Sequence, residues 1–178
     1  AVASLGVGVI VGAVAGLLDG LCSAEHLFMI APGDANAGMI AISGIMSAIM
    51  GALSWVPIAN IIVLVIDIID MILQMVPTIG MGLTQMIAQG IYSIFDKDGL
   101  QAKQAEFSNL NNSYNEKWGT SLSTGDFNDA VNRTGFFDKI WNGSQAYEYD
   151  ENGNRIGYKT DKAGGFLNSG YGIKNWFV

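Results

Sequence analysis

Few residues in this 178-residue chain have types and spacing that could do chemistry. Cys22 and His26 stand four apart with Glu25 between them, so on a helix the thiol and the imidazole share a face. Such a pair could activate a nucleophile or supply half of a zinc site. A zinc site needs more ligands, and the chain has no other Cys or His. A connector between two helices is the expected role. A second candidate lies near the C-terminus. Asp150, Asn152, Asn154 and Asp161 fit positions 1, 3, 5 and 12 of a calcium-type loop, but Arg155 stands where position 6 requires glycine. Asn152-Gly153 between aromatic-rich flanks reads instead as a β-hairpin turn. There is no phosphate-binding loop, dinucleotide fingerprint, nucleophile elbow or HExxH. The expectation is no catalytic residue, no metal, no cofactor and no enzyme.

The third constellation is polar residues in an apolar setting. Asp67 and Asp70 are three apart, and Asn60 and Gln74 lie seven before and seven after Asp67, on nearly the same helical stripe. The remaining faces of that segment are Ile, Val, Leu and Met. Thr78, Gln85 and Gln89 offer a facing stripe from the next segment. Charges within an apolar run of membrane length are costly and usually face a bundle interior or water. Two readings stand: a stripe lining a pore or a path for protons or cations, or the solvated face of an amphipathic helix.

Helices must position these groups. An apolar run covers 1–18 and closes at Asp19, and a connector with a short helical piece follows over 19–34. Residues 35–66 carry no charge, and Pro57 divides them into helices over 38–56 and 58–76. Pro77 ends the second of these, and a fourth helix is expected over 78–95, stopping at Asp96-Lys97-Asp98-Gly99. The short links at 55–58 and 76–79 predict antiparallel helical hairpins. Beyond them, 100–118 reads as an amphipathic helix, and Thr124-Gly125-Asp126 as the start of another reaching about Ile140.

Gly8, Gly12, Gly16 and Gly20 recur at four-residue spacing, and Ser4 extends the series. One helical stripe therefore carries almost no side chain, which lets a second backbone approach closely, as helices do in lipid. In water each glycine would cost about 0.5–1 kcal/mol relative to alanine. The second apolar helix repeats the pattern with Ser43, Ser47 and Gly51, beside Gly44, Ala48 and Ala52. These stripes are the expected helix-packing surface, within one chain or between copies.

Bulk composition agrees. Half of the residues are hydrophobic and only 14% charged, against about 25% in average soluble domains. The mean hydropathy is +0.32. A net charge of −7 excludes a nucleic-acid binder that works by neutralising phosphates, and a polybasic lipid anchor. No Lys or Arg occurs before Lys97. The chain thus divides into an apolar helical region, 1–96, and a polar tail or docking region, 97–178. The expected fold is mainly α, with about four glycine-rich hydrophobic helices in hairpins followed by a small polar α+β tail with a β-hairpin.

Residues Tyr147–Ile156 resemble a single YD repeat of the Rhs family, over about ten residues, and so imply a hairpin of similar chemistry. The overall plan, from the Gly8–Gly20 series through the apolar run to Phe95 and the polar end, resembles the C-terminal part of phage tail tape-measure proteins. That resemblance implies a virion or secreted assembly that later inserts into a host membrane and assists genome passage. The expected function is a non-enzymatic, membrane-inserting protein, with pore or channel formation as its extension. Its partners would be the bilayer, further copies of itself, and a larger assembly held through 97–178. Alternatives are a permanent four-helix subunit of a membrane complex and a soluble oligomeric bundle. The absence of Lys and Arg from the short loops argues against ordinary topogenic signals.

Overall fold

The computed structural model describes residues 2–76 and 79–132 and two strands further on. Six helices follow in order: α1 Val2–Cys22, α2 Ala24–Phe28, α3 Ala37–Leu53, α4 Pro57–Met75, α5 Leu83–Trp118 and α6 Thr124–Asn132. Their ends obey local chemistry. The Asn36 side chain accepts a hydrogen bond from the Met39 amide at 3.0 Å and caps α3. Pro57 opens α4, where its missing N–H costs nothing. Gly119, at φ 65°, closes α5 in the left-handed conformation that glycine adopts without strain.

Helix α5 is kinked. Asp96 leaves the helical region (φ −154°, ψ 70°), and its Oδ1 accepts from the Gly99 amide at 3.0 Å, capping the second segment. The break falls where the sequence places one: α5 is two helical segments, 83–95 and 97–118, joined at non-helical Asp96, in keeping with the separate helices expected on either side of Asp96-Lys97-Asp98-Gly99.

The molecule has two parts. In the first, α1 and α3 pack antiparallel along their small residues. A Cβ added at Gly12 would strike the Gly51 carbonyl, one at Gly16 the Ser47 carbonyl, and one at Gly20 the Ser43 carbonyl; at Gly8 it would strike the Trp55 ring. Ser43 Oγ donates to the Gly20 carbonyl at 2.6 Å across the same seam. The second part is a head built around residues 22–39. Phe28, Ile30, Met39, Ala88, Tyr92 and Leu100 form one core, and Ala31, Phe107, Phe127 and Val131 a second beside it. Phe127 lies between Phe107 and Tyr114, with ring centroids 5.3 Å from each.

Two expectations need correction. The hairpins expected from the short links at 55–58 and 76–79 are not closely packed: α4 is almost bare, with 6% of its apolar window buried. The glycine face of α3 is already taken by α1, and α4 has no glycine and no small-residue stripe to offer in return. The close hairpin is α1 with α3, joined through the long connector.

The expected α+β tail is also overturned. The described residues within 2–132 hold six helices and no strand, and 97–132 folds as helices onto the core around Phe28 and Ala31. Beyond that block, β1 (Ala146–Tyr149) and β2 (Arg155–Lys159) form a short antiparallel ladder with Tyr147 opposite Tyr158. Among the described residues this sheet has two strands and no third, and a pair of this length does not bury a core of its own. The expected turn at 151–154 and the rest of the calcium-type loop lie outside the described residues, as do Thr78 and the expected end of the last helix near Ile140.

Candidate membrane interface and the polar seam beside it

Two helices are long and apolar enough to cross a membrane. Residues Ala3–Cys22 have mean hydropathy 2.1 and Pro57–Met75 have 2.2. At 1.5 Å per residue they measure about 30 Å and 28 Å, the thickness of a hydrocarbon core. A buried core helix has the same composition but is covered; here the outer faces are open. Val7, Ile10 and Val14 on α1, Ile45 and Ile49 on α3, and Ile58, Ile61 and Leu64 on α4 are all exposed, Ile58 to 79%. Monomeric soluble proteins rarely expose contiguous apolar patches beyond a few hundred Å².

The small-residue stripes lie between these faces. Gly8, Gly12, Gly16 and Gly20 meet Trp55, Gly51, Ser47 and Ser43 in order, and a Cβ added at any of these four glycines would collide with the facing residue. Ser4 lies one turn beyond the end of this seam and is exposed. The stripes are thus occupied within a single chain.

The polar stripe separates into two groups. Asn60 and Asp67 are exposed on α4, while Asp70 and Gln74 are half-buried beside the start of α5. Asp70 Oδ1 accepts from the Thr84 amide at 3.1 Å, and Asp70 Oδ2 from the Thr84 hydroxyl at 2.5 Å. The residue before α5 is Gly82, which has no side chain to cap with, so a carboxylate from α4 supplies the cap. Asp67, Asp70 and Gln74 line one wall of an open cleft of about 790 Å³, with Asp126 and Asp129 of α6 on the other. No third group of this wall brings in Gln85 or Gln89.

Those two residues point into the head. Gln85 Nε2 donates to the His26 carbonyl at 3.0 Å, and Gln89 Nε2 to the Leu27 carbonyl at 3.1 Å. Gln104 reaches the Phe28 carbonyl at 3.0 Å, Asn128 the His26 carbonyl at 2.9 Å, and Asn132 the Ile30 carbonyl at 2.9 Å. A five-residue helix leaves most of its carbonyls without intrahelical partners. Side-chain amides from α5 and α6 satisfy the His26, Leu27 and Phe28 carbonyls of α2 and the Ile30 carbonyl just beyond it. This seam was missed in the sequence, although amides recur at four-residue spacing there (85 and 89, 128 and 132). The spacing is visible, but the partner is backbone, which has no residue signature.

The Cys22–His26 candidate does not form a pair-based site. Cys22 and Glu25 are buried in the head. His26 Nε2 lies 2.6 Å from Asp129 Oδ1, which ties α2 to α6. Among the described residues no three His, Cys, Asp or Glu side chains converge to hold a metal.

Comparison with known proteins gives no matching family model, no matching curated protein and no matching solved structure. The reading of function therefore rests on geometry.

Proposed function

We propose that this chain is a non-enzymatic, membrane-inserting helical protein. Its α1–α3 hairpin and α4 enter the bilayer, and the head built on α2, α5 and α6 remains in water. One observation carries the reading: among the described residues, large apolar side chains are exposed along α1, α3 and α4, while amides are turned inward around α2. From its cap at Asn36, α3 reaches about 25 Å to the turn at Trp55. Residues 35–66, which include that turn, carry no charge, so the leading end crosses lipid without desolvating an ion.

Because the glycine stripes are used within the chain, association of copies would run through α4. There Asn60, Asp67 and Gln74 share a face that several copies would bring around a common path. The tape-measure resemblance supplies a setting: delivery from a virion or secreted assembly, held through 97–178. Lys97 as the first basic residue supports entry without topogenic charges.

Vesicle flotation and dye release from phosphatidylcholine liposomes test the reading. The wild type floats with vesicles and releases dye. Ile62→Lys/Val65→Lys replaces two exposed residues, so the fold survives, while each lysine at depth costs about 2.5–3.5 kcal/mol; release is lost. A wild type that stays monodisperse without detergent and does not float overturns the proposal in favour of a soluble bundle.

A further inference from the structure

The first segment of α5 is too short to span a bilayer, yet it carries an apolar stripe of its own. Ile87, Ile91, Ile94 and Phe95 recur at helical spacing and are all exposed, Ile94 to 80% and Phe95 to 79%. The segment cannot rotate to cover them. Its opposite face is fixed by buried Gln85, Ala88 and Tyr92, by Gln89 on the Leu27 carbonyl, and by Tyr92, whose ring packs edge-on against Phe28 at 5.6 Å.

The stripe stops abruptly. Among the described residues no large hydrophobic side chain after Phe95 is exposed. The next residue is the kink at Asp96, followed by Lys97, the first basic residue of the chain, and Asp98. Tyr92 donates to Asp96 Oδ2 at 3.2 Å and accepts from Asn36 Nδ2 at 2.7 Å. Asn36 is the cap of α3, so the kink is tied to the level at which the hairpin leaves the head. The Tyr92 ring also lies 3.5 Å from the Cβ position of Gly38, in the first turn of α3.

We infer that the first half of α5 is an interfacial helix, lying on the bilayer with Ile87, Ile91, Ile94 and Phe95 at the acyl boundary, and that the Asp96 kink is where the chain leaves lipid for water. The inference rests on the membrane reading above and adds the depth and orientation of the head. The occupant of this face is lipid rather than a protein groove. The segment sits beside the first turn of α3, where Tyr92 meets Gly38, and the polar–apolar boundary coincides with the kink, as a planar interface requires.

The test uses single-cysteine chains in a Cys22→Ala background, each carrying a bimane probe, in phosphatidylcholine vesicles with shallow nitroxide lipids. Ile94→Cys and Phe95→Cys report on the stripe, Ile62→Cys on α4, and Asn112→Cys on the water side. The expected result is loss of emission to lipid quencher at 62, 94 and 95, and loss to aqueous iodide only at 112. Quenching by lipid at 62 with iodide quenching at 94 and 95 overturns the interfacial helix and leaves the membrane reading intact. Iodide quenching at all four positions overturns both.

Discussion

The Gly16 crossing of α1 and α3 makes a prediction of sign as well as size. A methyl group added at Gly16 would overlap the Ser47 carbonyl, and the neighbouring Cα of Ala48 lies 3.2 Å from the same point. A carbon normally rests about 3.3–3.6 Å from a carbonyl oxygen, so α1 and α3 would have to part by well over an ångström. Overpacking of this kind costs about 1–3 kcal/mol. Parting also stretches the buried 2.6 Å bond from Ser43 to the Gly20 carbonyl, for about 0.5–1.5 kcal/mol more. Against this, alanine is the better helix former by about 1 kcal/mol. Gly16→Ala should therefore destabilise by about 0.5–3.5 kcal/mol. Gly6 lies on the same helix with nothing within 4 Å of its Cβ position. Gly6→Ala gains the propensity term alone and should stabilise by about 0.5–1 kcal/mol. Denaturant unfolding in mild detergent, followed by circular dichroism, measures both. Equal stability of the two variants would refute the packed seam, because a face not in contact treats both glycines alike.

Further outcomes follow from the head. Asp70→Ala removes the cap that α4 lends to α5 and should cost about 1 kcal/mol, seen as faster amide exchange at Thr84 while the Phe28 core stays protected. Gln85→Leu removes one of the two amides on the His26 carbonyl, leaving Asn128 there, and takes away the acceptor of the Gly82 amide; a loss of about 1–3 kcal/mol is expected, and a neutral result in urea unfolding would remove the amide seam from the account of stability. Phe127→Ala empties the centre of the aromatic cluster with Phe107 and Tyr114 and should cost about 3–5 kcal/mol, accompanied by loss of near-ultraviolet ellipticity.

The sequence alone determined what depends on neighbours three and four residues away. The observed α3 and α4, Ala37–Leu53 and Pro57–Met75, fall within a few residues of the helices read from apolar periodicity and from Pro57. The two small-residue stripes were legible for the same reason: a helix places i and i+4 on one face whatever surrounds it. That the stripes meet each other, Gly12 on Gly51 and Gly16 on Ser47, needed the fold. So did the burial of 19–34, read as a connector with a short helical piece. Phe28 and Ile30 in it are fully buried, because Ala88, Phe107 and Phe127 arrive from 60 to 100 residues further along the chain. The split of the polar stripe was decided at the same level. Asp67 and Gln85 look alike in a sequence, as polar residues on apolar helices. One faces an open cleft and the other a backbone carbonyl. Carbonyls are present at every residue, so only the tertiary structure decides which one an amide will find.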